Sequence, residues 1–445
     1  MPDDFLEILQ QHNADGQNAG DQFGGAGSGT GSGLPTDLAN NFWFATGIEC
    51  SYPTIDQGKP RRNLLEECGH YAHWQEYLRL VKELGLRFLR YGLPYYKIHL
   101  GPGRYDWEFA DLALAEMQRL GITPIVDLLH FGVPDWLGSF QNPELPLHFA
   151  DYADAVAERY PWVRFYTPVN EIYVSANASA QKGIWNEQLQ SEPGFVTAIK
   201  HLCAASILAN QRIAQRRPDV IIVQSESAEY IHQMTAEQDP KIAQQNELRF
   251  LSLDLLYAHR PDSDILLYLM DNGLTRAQYD WFMAGKPPGY QVMGNDYYGR
   301  NEHLLLPSGE MLQAEDVMGW YGLTLQYYQR YHLPIMHTET NVLDPDAAPA
   351  WLWKQFRNIL RMRGDGVPVL GFTWYSLTDQ KDWDVELAEM KGTVNPCGLY
   401  DLDRKPRPVA AAYRQLLQEF GQMALVAHSE IFAVNTGPAR LRTDI

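Results

Sequence analysis

The sequence predicts a (β/α)8 TIM barrel that begins near residue 41. Short apolar runs alternate with helical stretches along the chain, and this alternation is typical of parallel βα units. Eight such units within about 380 residues fit a barrel with insertions, a fold of roughly 250 to over 400 residues. Polar side chains follow nearly every apolar run, as expected where barrel strands end at an active-site face.

The predicted strands span residues 42–48, 88–91, 124–129, 163–169, 220–224, 291–294, 334–337 and 367–375. Helices are predicted around residues 70–84, 107–120, 147–159, 194–217, 314–331, 350–363 and 408–420. The interval between the fifth and sixth strands is the longest, and we expect it to hold extra helices. Pro168 counts against a regular fourth strand, because proline cannot donate a hydrogen bond to a sheet.

A doubly wound parallel sheet is the alternative architecture. No G-x-G-x-x-G run follows the first predicted strand, and the chain has no P-loop motif. The barrel is therefore favoured. Hydrophobic residues make up 45% of the 445 residues, which suffices for a sizeable core.

Charge and cysteine usage limit the classes of partner. The formal net charge is −19, and such an acidic chain disfavours nucleic acid and anionic membranes as partners. No apolar run approaches the length of about 20 residues that spans a bilayer. The N-terminus lacks the pattern of a secretion signal, and four scattered cysteines without a CxxC pair suggest free thiols in a reducing compartment. We therefore expect a cytoplasmic protein; no oligomeric state is predicted.

The chain divides into three predicted parts. Residues 1–40 are expected to be a flexible, disordered Gly-rich segment, because residues 13–33 have the composition of a linker. Within it, residues 1–12 fit a short amphipathic helix with Phe5, Leu6 and Leu9 on one face. A docking peptide for a partner is the alternative for this segment. Residues 41–425 form the predicted barrel, and residues 426–445 form a tail.

Two of the apolar runs end on a glutamate, Glu171 after residues 165–170 and Glu339 after residues 333–338. Charged side chains are rarely buried without a partner, so two such strand ends suggest a pair that meets in space. Two facing carboxylates carry out glycoside hydrolysis. The polar residues at or just after the predicted strands are Glu49, Arg90, Asp127, His130, Asn170, Glu171, Glu226, Asp296, Tyr297, Tyr298, Glu339, Tyr375, Asp379, Asp382 and Trp383.

Several short runs, in the same order, resemble motifs of glycoside hydrolase family 1, which belongs to the clan of retaining (β/α)8 glycosidases. TPVNE at 167–171 resembles the acid/base motif T-x-N-E-P, with one extra residue before the Asn and Ile172 in place of proline. HTETN at 337–341 resembles the nucleophile motif I/V-T-E-N-G without its glycine. Weaker matches are HF at 130–131, GNDYY at 294–298, the eighth-strand segment 371–383 and the closing segment 398–404.

The resemblance covers about residues 41–421 and implies roles for individual residues. Glu171 would be the general acid/base and Glu339 the nucleophile. Arg90 would keep Glu339 charged, although it could instead tie strand ends together. Tyr298 would orient Glu339 by a hydrogen bond, and Asn170 would bind a sugar hydroxyl.

The resemblance also implies a set of substrate-binding residues: Glu49, His130, Trp374, Tyr375, Asp382 and Trp383. Glu49 stands where the family has a glutamine, so it either binds sugar hydroxyls or pairs with a cation. His130 is a sugar contact or a core histidine, not a metal ligand, because it lacks partners at ligand spacing. A non-proline cis bond is expected at 374–375 or 375–376. Asp382 is shorter than the usual glutamate, so the hydroxyl pattern it reads would differ.

The expected activity is that of a retaining β-glycosidase that acts on a carbohydrate or glycoside without cofactor or metal. Its two carboxyl groups should lie about 5–5.5 Å apart. A transglycosidase with the same site and a non-catalytic sugar-binding barrel are the alternatives. Lys381 and Arg300 near the same rim are candidates for binding an anionic substituent such as phosphate.

Overall fold

Eight parallel strands close into a barrel in the computed structural model, which describes residues 4–16, 40–56, 60–234 and 239–425. The fold prediction is therefore confirmed. The barrel strands are β1 (Trp43–Ile48), β2 (Phe88–Gly92), β3 (Thr123–Leu129), β4 (Phe165–Val169), β5 (Ile221–Ser227), β6 (Tyr290–Asp296), β7 (Ile335–Glu339) and β8 (Val369–Trp374). Each strand pairs with its neighbours in sequence, and β1 closes the barrel on β8.

Strand β4 is irregular at Pro168, as the sequence predicts. Strand β4 pairs with β3 as far as Val169 but with β5 only at Phe165 and Tyr166. The proline has no N–H to offer, so the ladder with β5 stops before it. Gln224 replaces part of this ladder, because its side-chain amide donates to the Val169 carbonyl at 2.8 Å.

Helices surround the barrel, and most of the predicted ones are found within a few residues of their expected bounds. The interval between β5 and β6 holds four helices, which confirms the expected insertion. The helices are Phe5–Gly16, Leu64–Glu67, His70–Leu84, Tyr95–Ile98, Glu108–Leu120, Leu145–Arg159, Ile172–Ala176, Glu192–Arg216, Pro240–Leu248, Leu251–Leu256, Ser263–Asp271, Arg276–Met283, Gly319–Tyr331, Ala348–Gly364 and Pro408–Phe420.

Short strands outside the barrel build its loops. They are His99–Gly101, Arg104–Tyr105, Tyr230–Gln233, Glu302–Leu305, Met311–Gln313, Gln380–Lys381 and Val394–Asn395. Three of them form one small sheet, in which Glu302–Leu305 pairs with both Tyr230–Gln233 and Met311–Gln313. This sheet joins the segments that follow β5 and β6, on the same side of the barrel as the strand ends.

Aromatic rings fill the amino-terminal end of the barrel. The ring of Trp43 lies 5.9 Å from that of Phe88 and 5.2 Å from that of Phe165, and the two phenylalanine rings are 5.5 Å apart. All three side chains are buried. This end is thus a packed core, as the bottom of such barrels is, and polar chemistry is confined to the carboxyl end.

The amino-terminal helix Phe5–Gly16 packs on the outside of the barrel domain. Phe5 and Leu6 are buried, and the Phe5 ring makes edge contacts with Trp281 at 5.5 Å and His201 at 6.0 Å. The helix expected in residues 1–12 is therefore found, displaced by a few residues, and it contacts the chain's own helices. The expected Gly-rich segment beyond residue 16, up to residue 39, and the tail 426–445 lie outside the described residues.

No helix in the described ranges combines the length and the apolar character that crossing a bilayer requires.

We expect Phe5→Ala to detach this helix without unfolding the barrel. Removing a buried phenylalanine side chain costs about 3–5 kcal/mol, and a terminal helix can open locally. Hydrogen exchange of the amides in residues 5–12 should accelerate strongly while that of β1–β8 stays unchanged. Gln10→Ala, at an exposed position of the same helix, serves as control. Equal exchange in both variants would contradict the docking.

Candidate active site

The carboxyl ends of three strands bring three acidic side chains together. Glu339 ends β7, Asp296 ends β6, and Glu171 lies just beyond the end of β4. One carboxyl oxygen from each lies within 4.8 Å of the other two. The two glutamates singled out in the sequence therefore meet in space, and a third acid joins them.

Both oxygens of Glu339 are held by neighbouring donors. Arg90, on β2, donates from Nη1 to Oε1, and the Tyr298 hydroxyl donates to Oε2 at 2.6 Å. Glu339 is 4% exposed, so these contacts replace most of its hydration. A carboxylate with a cation on one oxygen and a hydroxyl on the other is stabilised in its ionised form and fixed in direction.

Arg90 also connects Glu339 to residues at the ends of β3 and β4. Its Nη2 donates to Asp127 at 3.0 Å and also to the side-chain oxygen of Asn170. The Asn170 amide nitrogen then donates to His130 Nε2, at 3.2 Å. Arg90 can only donate hydrogen bonds, so the Asn170 atom that it contacts must be the amide oxygen. The amide nitrogen of Asn170 therefore faces His130 and donates to Nε2, which acts as the acceptor.

Glu171 is held by its backbone rather than by its side chain. Its φ of 41° lies in the left-handed region, which is rare for residues with a Cβ, and its N–H donates to Ser225 O at 2.9 Å. Its carboxyl group forms no hydrogen bond or ion pair with a described residue. The Glu226 carboxylate accepts from the N–H groups of Ile172 and Tyr173 at 3.2 and 3.3 Å, and so holds the turn that carries Glu171.

The electrostatic environment separates the two glutamates. Burial, and then the charges of Asp296 and Glu339, raise the pKa of Glu171 well above its usual value. Burial also raises the pKa of Glu339, but Arg90 and the Tyr298 hydroxyl oppose that shift. Glu171 is therefore the member of the pair that keeps its proton to higher pH.

Asp296 adds a third titrating group to the pair. It is fully buried, and its Oδ2 accepts from the Ser225 hydroxyl at 2.6 Å. Burial, followed by the charge of Glu339, raises its pKa well above the usual value. With one arginine in contact with Glu339, three neighbouring carboxyl groups cannot all be ionised at low cost.

His130 is fixed by a buried carboxylate. Its Nδ1 donates to Asp127 at 2.8 Å, while Glu49 Oε1 lies 3.9 Å from its Nε2. Glu49 accepts from the backbone N–H of Ser51 at 2.9 Å and also from the Ser51 hydroxyl. Glu49 and His130 thus lie side by side in the site, and the nearest strong donor to Glu49 is a serine rather than a cation.

The aromatic residues of the site form one wall. The Tyr375 and Trp383 rings stack at 6.1 Å, and the Tyr298 ring meets Trp383 edge-on at 5.8 Å. The cis bond lies at Tyr375–Ser376. Trp374 points into the barrel core instead, where its Nε1 donates to Cys397 O at 3.0 Å. The structure therefore brings Tyr375 and Trp383 to the site but not Trp374.

Asp382 lies at the edge of the site with its oxygens already occupied. Oδ2 accepts from the buried Arg62 at 3.1 Å and from the Gly392 N–H at 3.0 Å, and Oδ1 accepts from the Thr393 N–H at 2.8 Å. These contacts fix the loop after β8. They also leave Asp382 less free to bind a sugar hydroxyl than the resemblance implies.

Arg300 lies over two aromatic rings of the site. Its guanidinium lies 5.3 Å from the Tyr298 ring centre and 5.7 Å from that of Trp383, and it donates to the Trp383 carbonyl at 2.9 Å. Lys381 lies in the short strand Gln380–Lys381 of the same loop region. Arg300 is thus the cation with the clearer geometric relation to the site.

Two groups of side chains in the described ranges are close enough to share a metal ion: Glu171, Asp296 and Glu339, and separately Cys50, Asp127 and His130. In the second group burial raises the pKa of the Cys50 thiol to about 11, which disfavours the thiolate that a metal needs. His130 Nδ1 is also taken by Asp127. Neither group has a feature, beyond proximity, that indicates a metal.

Asp127, Glu226 and Asp296 were marked by the sequence only as polar residues at strand ends, without a role. The structure gives each one a function in positioning or charge. Burial raises the pKa of Glu226 to about 7, although its backbone donors oppose the shift. Their position at strand ends was the one signal that the sequence offered.

The family model of glycosyl hydrolase family 1 matches residues 57–257. The chain is therefore similar to this family. A 6-phospho-beta-glucosidase of Clostridium longisporum is 29% identical over 217 residues, which are 46% of this chain and 44% of that protein. A phospho-cellobiase of Klebsiella oxytoca is 23% identical over 353 residues, 69% of this chain and 76% of that protein. The chain thus matches less than half the length of the first relative.

Solved structures agree on the fold. A family 1 b-glucosidase from Thermotoga maritima superposes with a TM-score of 0.71 at 18% identity, covering 87% of this chain and 98% of that chain. The beta-glucosidase from the same organism in complex with deoxynojirimycin also gives a TM-score of 0.71. At such low identity this similarity establishes the barrel fold.

Arg90→Met should destabilise the protein in a pH-dependent way. Removing the cation leaves the buried Glu339 and Asp127 without the guanidinium that contacts both, a loss of about 3–5 kcal/mol in unfolding free energy. Without Arg90 the folded-state pKa of Glu339 lies further above the unfolded value, so stability falls as pH rises. Urea unfolding should therefore show a larger loss at pH 8 than at pH 5.

The matched control is Arg276→Met, which removes an exposed arginine paired with Asp280 at 2.8 Å. Exposed ion pairs contribute little to stability because solvent screens them, so this variant should stay close to wild type at both pH values. Equal losses in the two variants would contradict the compensating role of Arg90.

Proposed function

We propose that the protein is a retaining β-glycosidase. The observation that carries the proposal is the approach of Glu171 and Glu339, with oxygens within 4.8 Å. Retaining enzymes hold their two carboxyl groups about 5–5.5 Å apart, and inverting enzymes about 6.5–9.5 Å apart to make room for water. The family resemblance supports the same reaction class.

The first step breaks the bond between the sugar and its leaving group. Glu339, ionised beside Arg90, attacks the anomeric carbon and forms a covalent glycosyl ester. The bond from that carbon to the leaving oxygen breaks, and Glu171 gives its proton to that oxygen. The raised pKa of Glu171 suits this role, because a general acid must still carry its proton near neutral pH.

The second step reverses the roles. Glu171, now ionised, takes a proton from a water molecule that attacks the anomeric carbon from the side the leaving group has left. The ester bond to Glu339 breaks, and its carboxylate returns to Arg90 and Tyr298. Two inversions leave the product with the β configuration of the substrate.

Sugar recognition is assigned to the residues around this pair. Asn170, oriented by Arg90 and His130, would bind a hydroxyl beside the reacting carbon. His130 and Glu49 offer further polar contacts, and the stacked rings of Tyr375 and Trp383 offer an apolar face to the sugar ring.

The names of two relatives suggest a phosphorylated sugar as a second candidate substrate. Arg300, on the rings of Tyr298 and Trp383, is the cation that favours it. A panel of nitrophenyl β-glycosides with and without a 6-phosphate distinguishes the two candidate substrates. If Arg300 binds the phosphate, replacing Arg300 by Met should lower kcat/KM for the 6-phosphorylated glycosides.

We also infer a cytoplasmic location and a division into an amino-terminal segment 1–40, a catalytic barrel 41–425 and a tail 426–445. The four cysteines are buried as free thiols, which suits a reducing compartment.

The variants Glu339→Ala and Glu171→Ala should give different products with azide. Glu339→Ala should abolish turnover, and azide placed in the vacated space should attack from the nucleophile's side to give an α-glycosyl azide. Glu171→Ala should still be glycosylated by substrates with good leaving groups. Azide then enters in the second step and gives a β-glycosyl azide. Proton NMR of the product identifies the configuration.

Glu226→Gln is the control, since its carboxyl group contacts backbone N–H groups and should not be rescued by azide. An α-glycosyl azide from both glutamate variants, or none from either, would refute the assigned roles.

Asp296→Asn should move the alkaline limb of the pH profile of kcat/KM to lower pH. The charge of Asp296 raises the pKa of Glu171, so its removal lets Glu171 lose its proton at lower pH. Asp384→Asn removes an exposed acid instead, and solvent screening should leave the profile nearly unchanged. A shift to higher pH in Asp296→Asn would contradict the charge coupling.

A further inference from the structure

A polar cavity lies at the carboxyl end of the barrel, next to the ends of β4, β5 and β6. Its volume is about 180 Å³, which is far more than one ordered water molecule needs. The segments that follow these three strands line it, among them the helix Ile172–Ala176 and the short strand Tyr230–Gln233. No residue assigned to the catalytic pair contributes to its lining.

Arg249 lines this cavity although it is buried to 5% exposure. Its Nη1 donates to the Glu229 carbonyl at 3.3 Å, and its Nη2 donates to the side chain of Gln326. Its Nε has no hydrogen-bond partner. These acceptors are neutral, so they do not compensate the positive charge of the Arg249 guanidinium.

The other two buried arginines of the described ranges, unlike Arg249, form ion pairs with carboxylates. Arg62 pairs with Glu67 at 2.6 Å and with Asp382, and Arg90 pairs with Asp127 and Glu339. Arg249 has no carboxylate within ion-pair distance in the part of the chain that the structure describes. A buried charge without a counter-charge is costly, so an anion is the missing partner.

Aromatic rings compensate Arg249 in part. Its guanidinium lies 4.3 Å from the ring centre of Phe250, 5.0 Å from Tyr230 and 5.6 Å from Tyr327. Such rings hold a guanidinium in place by cation–π attraction but do not neutralise it. The side chain is therefore fixed in direction, which favours binding of a carboxylate or a phosphate by its guanidinium group.

The other lining residues favour an anion as well. Lys182 and His303 line the same cavity, and Glu229 is the one acidic residue among the lining residues that the structure describes. Asn177 and Gln245 add amide groups that can donate hydrogen bonds. The lining thus carries an excess of positive charge in a protein whose formal net charge is −19.

We propose that this cavity binds an anionic group, a carboxylate or a phosphate, through Arg249. The helix Ile172–Ala176 begins directly after Glu171, and its residue Tyr173 lines the cavity. Glu171 protonates the leaving group in the proposed mechanism, so an anion here would belong either to an acidic leaving group or to a separate small anion. The leaving-group source rests on the proposed function, whereas the anion site does not.

Isothermal titration calorimetry with inorganic phosphate tests the site directly. Wild type should bind phosphate, and Arg249→Met should weaken binding by about tenfold or more, because a charge-assisted hydrogen-bonding partner is lost. Arg249→Lys keeps the charge without the planar fork and should bind with intermediate affinity. Absence of phosphate binding in wild type, or equal binding in Arg249→Met, would overturn the proposal.

Arg276→Met serves as the matched control, since it removes one exposed positive charge elsewhere. Its phosphate affinity should equal that of wild type. An equal loss in both variants would mean that phosphate responds to net charge alone, and would also overturn the site. Circular dichroism confirms folding, and Arg249→Lys carries the test if Arg249→Met does not fold.

A kinetic comparison identifies the source of the anion. The ratio of kcat/KM for a 4-carboxyphenyl β-glycoside to that for the neutral 4-carbamoylphenyl β-glycoside should fall about tenfold in Arg249→Met if the leaving group supplies the charge. An unchanged ratio with lost phosphate binding assigns the site to a free anion. If no glycoside is hydrolysed, the proposed glycosidase activity fails while calorimetry still decides the anion site.

Discussion

The candidate site depends on one buried cation among several buried carboxyl groups. Arg90 contacts Glu339 and Asp127, but it does not contact Glu171 or Asp296. Its direct contact stabilises Glu339 in the charged form, whereas Glu171 and Asp296 lack this contact, and burial followed by neighbouring negative charge raises their pKa well above the usual value. The proposed division between a charged nucleophile, Glu339, and a protonated acid, Glu171, therefore depends on the position of a single guanidinium.

The barrel makes this arrangement possible because it collects the ends of distant strands. Arg90 comes from β2, Asp127 from β3 and Glu339 from β7, and none of them is a neighbour of another in sequence. Parallel strands all present their carboxyl ends on one side, so each needs to contribute only one or two polar residues. The amino-terminal end, filled by aromatic rings such as Trp43, supplies rigidity without polar groups.

The sequence predicted the strand ends well, because alternating apolar runs and helices carry a strong local signal. It could not choose between Trp374 and Tyr375, since adjacent strand residues face opposite sides and the choice depends on where the strand begins to turn. Nor could it show that Asp382 is held by Arg62, because these residues are 320 positions apart and meet only in the folded chain. Strand geometry at the end of β8 decided the first position, and long-range pairing decided the second.

The three buried arginines of the described ranges differ in how their charge is compensated. Arg62 fixes the loop after β8 by its contact with Asp382, and Arg90 contacts Glu339 of the proposed catalytic pair. Both have carboxylates, so their charges are satisfied within the chain. Arg249 contacts neutral acceptors and aromatic rings and has no carboxylate within ion-pair distance in the described ranges, so its charge remains available. A buried cation that the protein itself does not neutralise is most simply explained by a ligand that does.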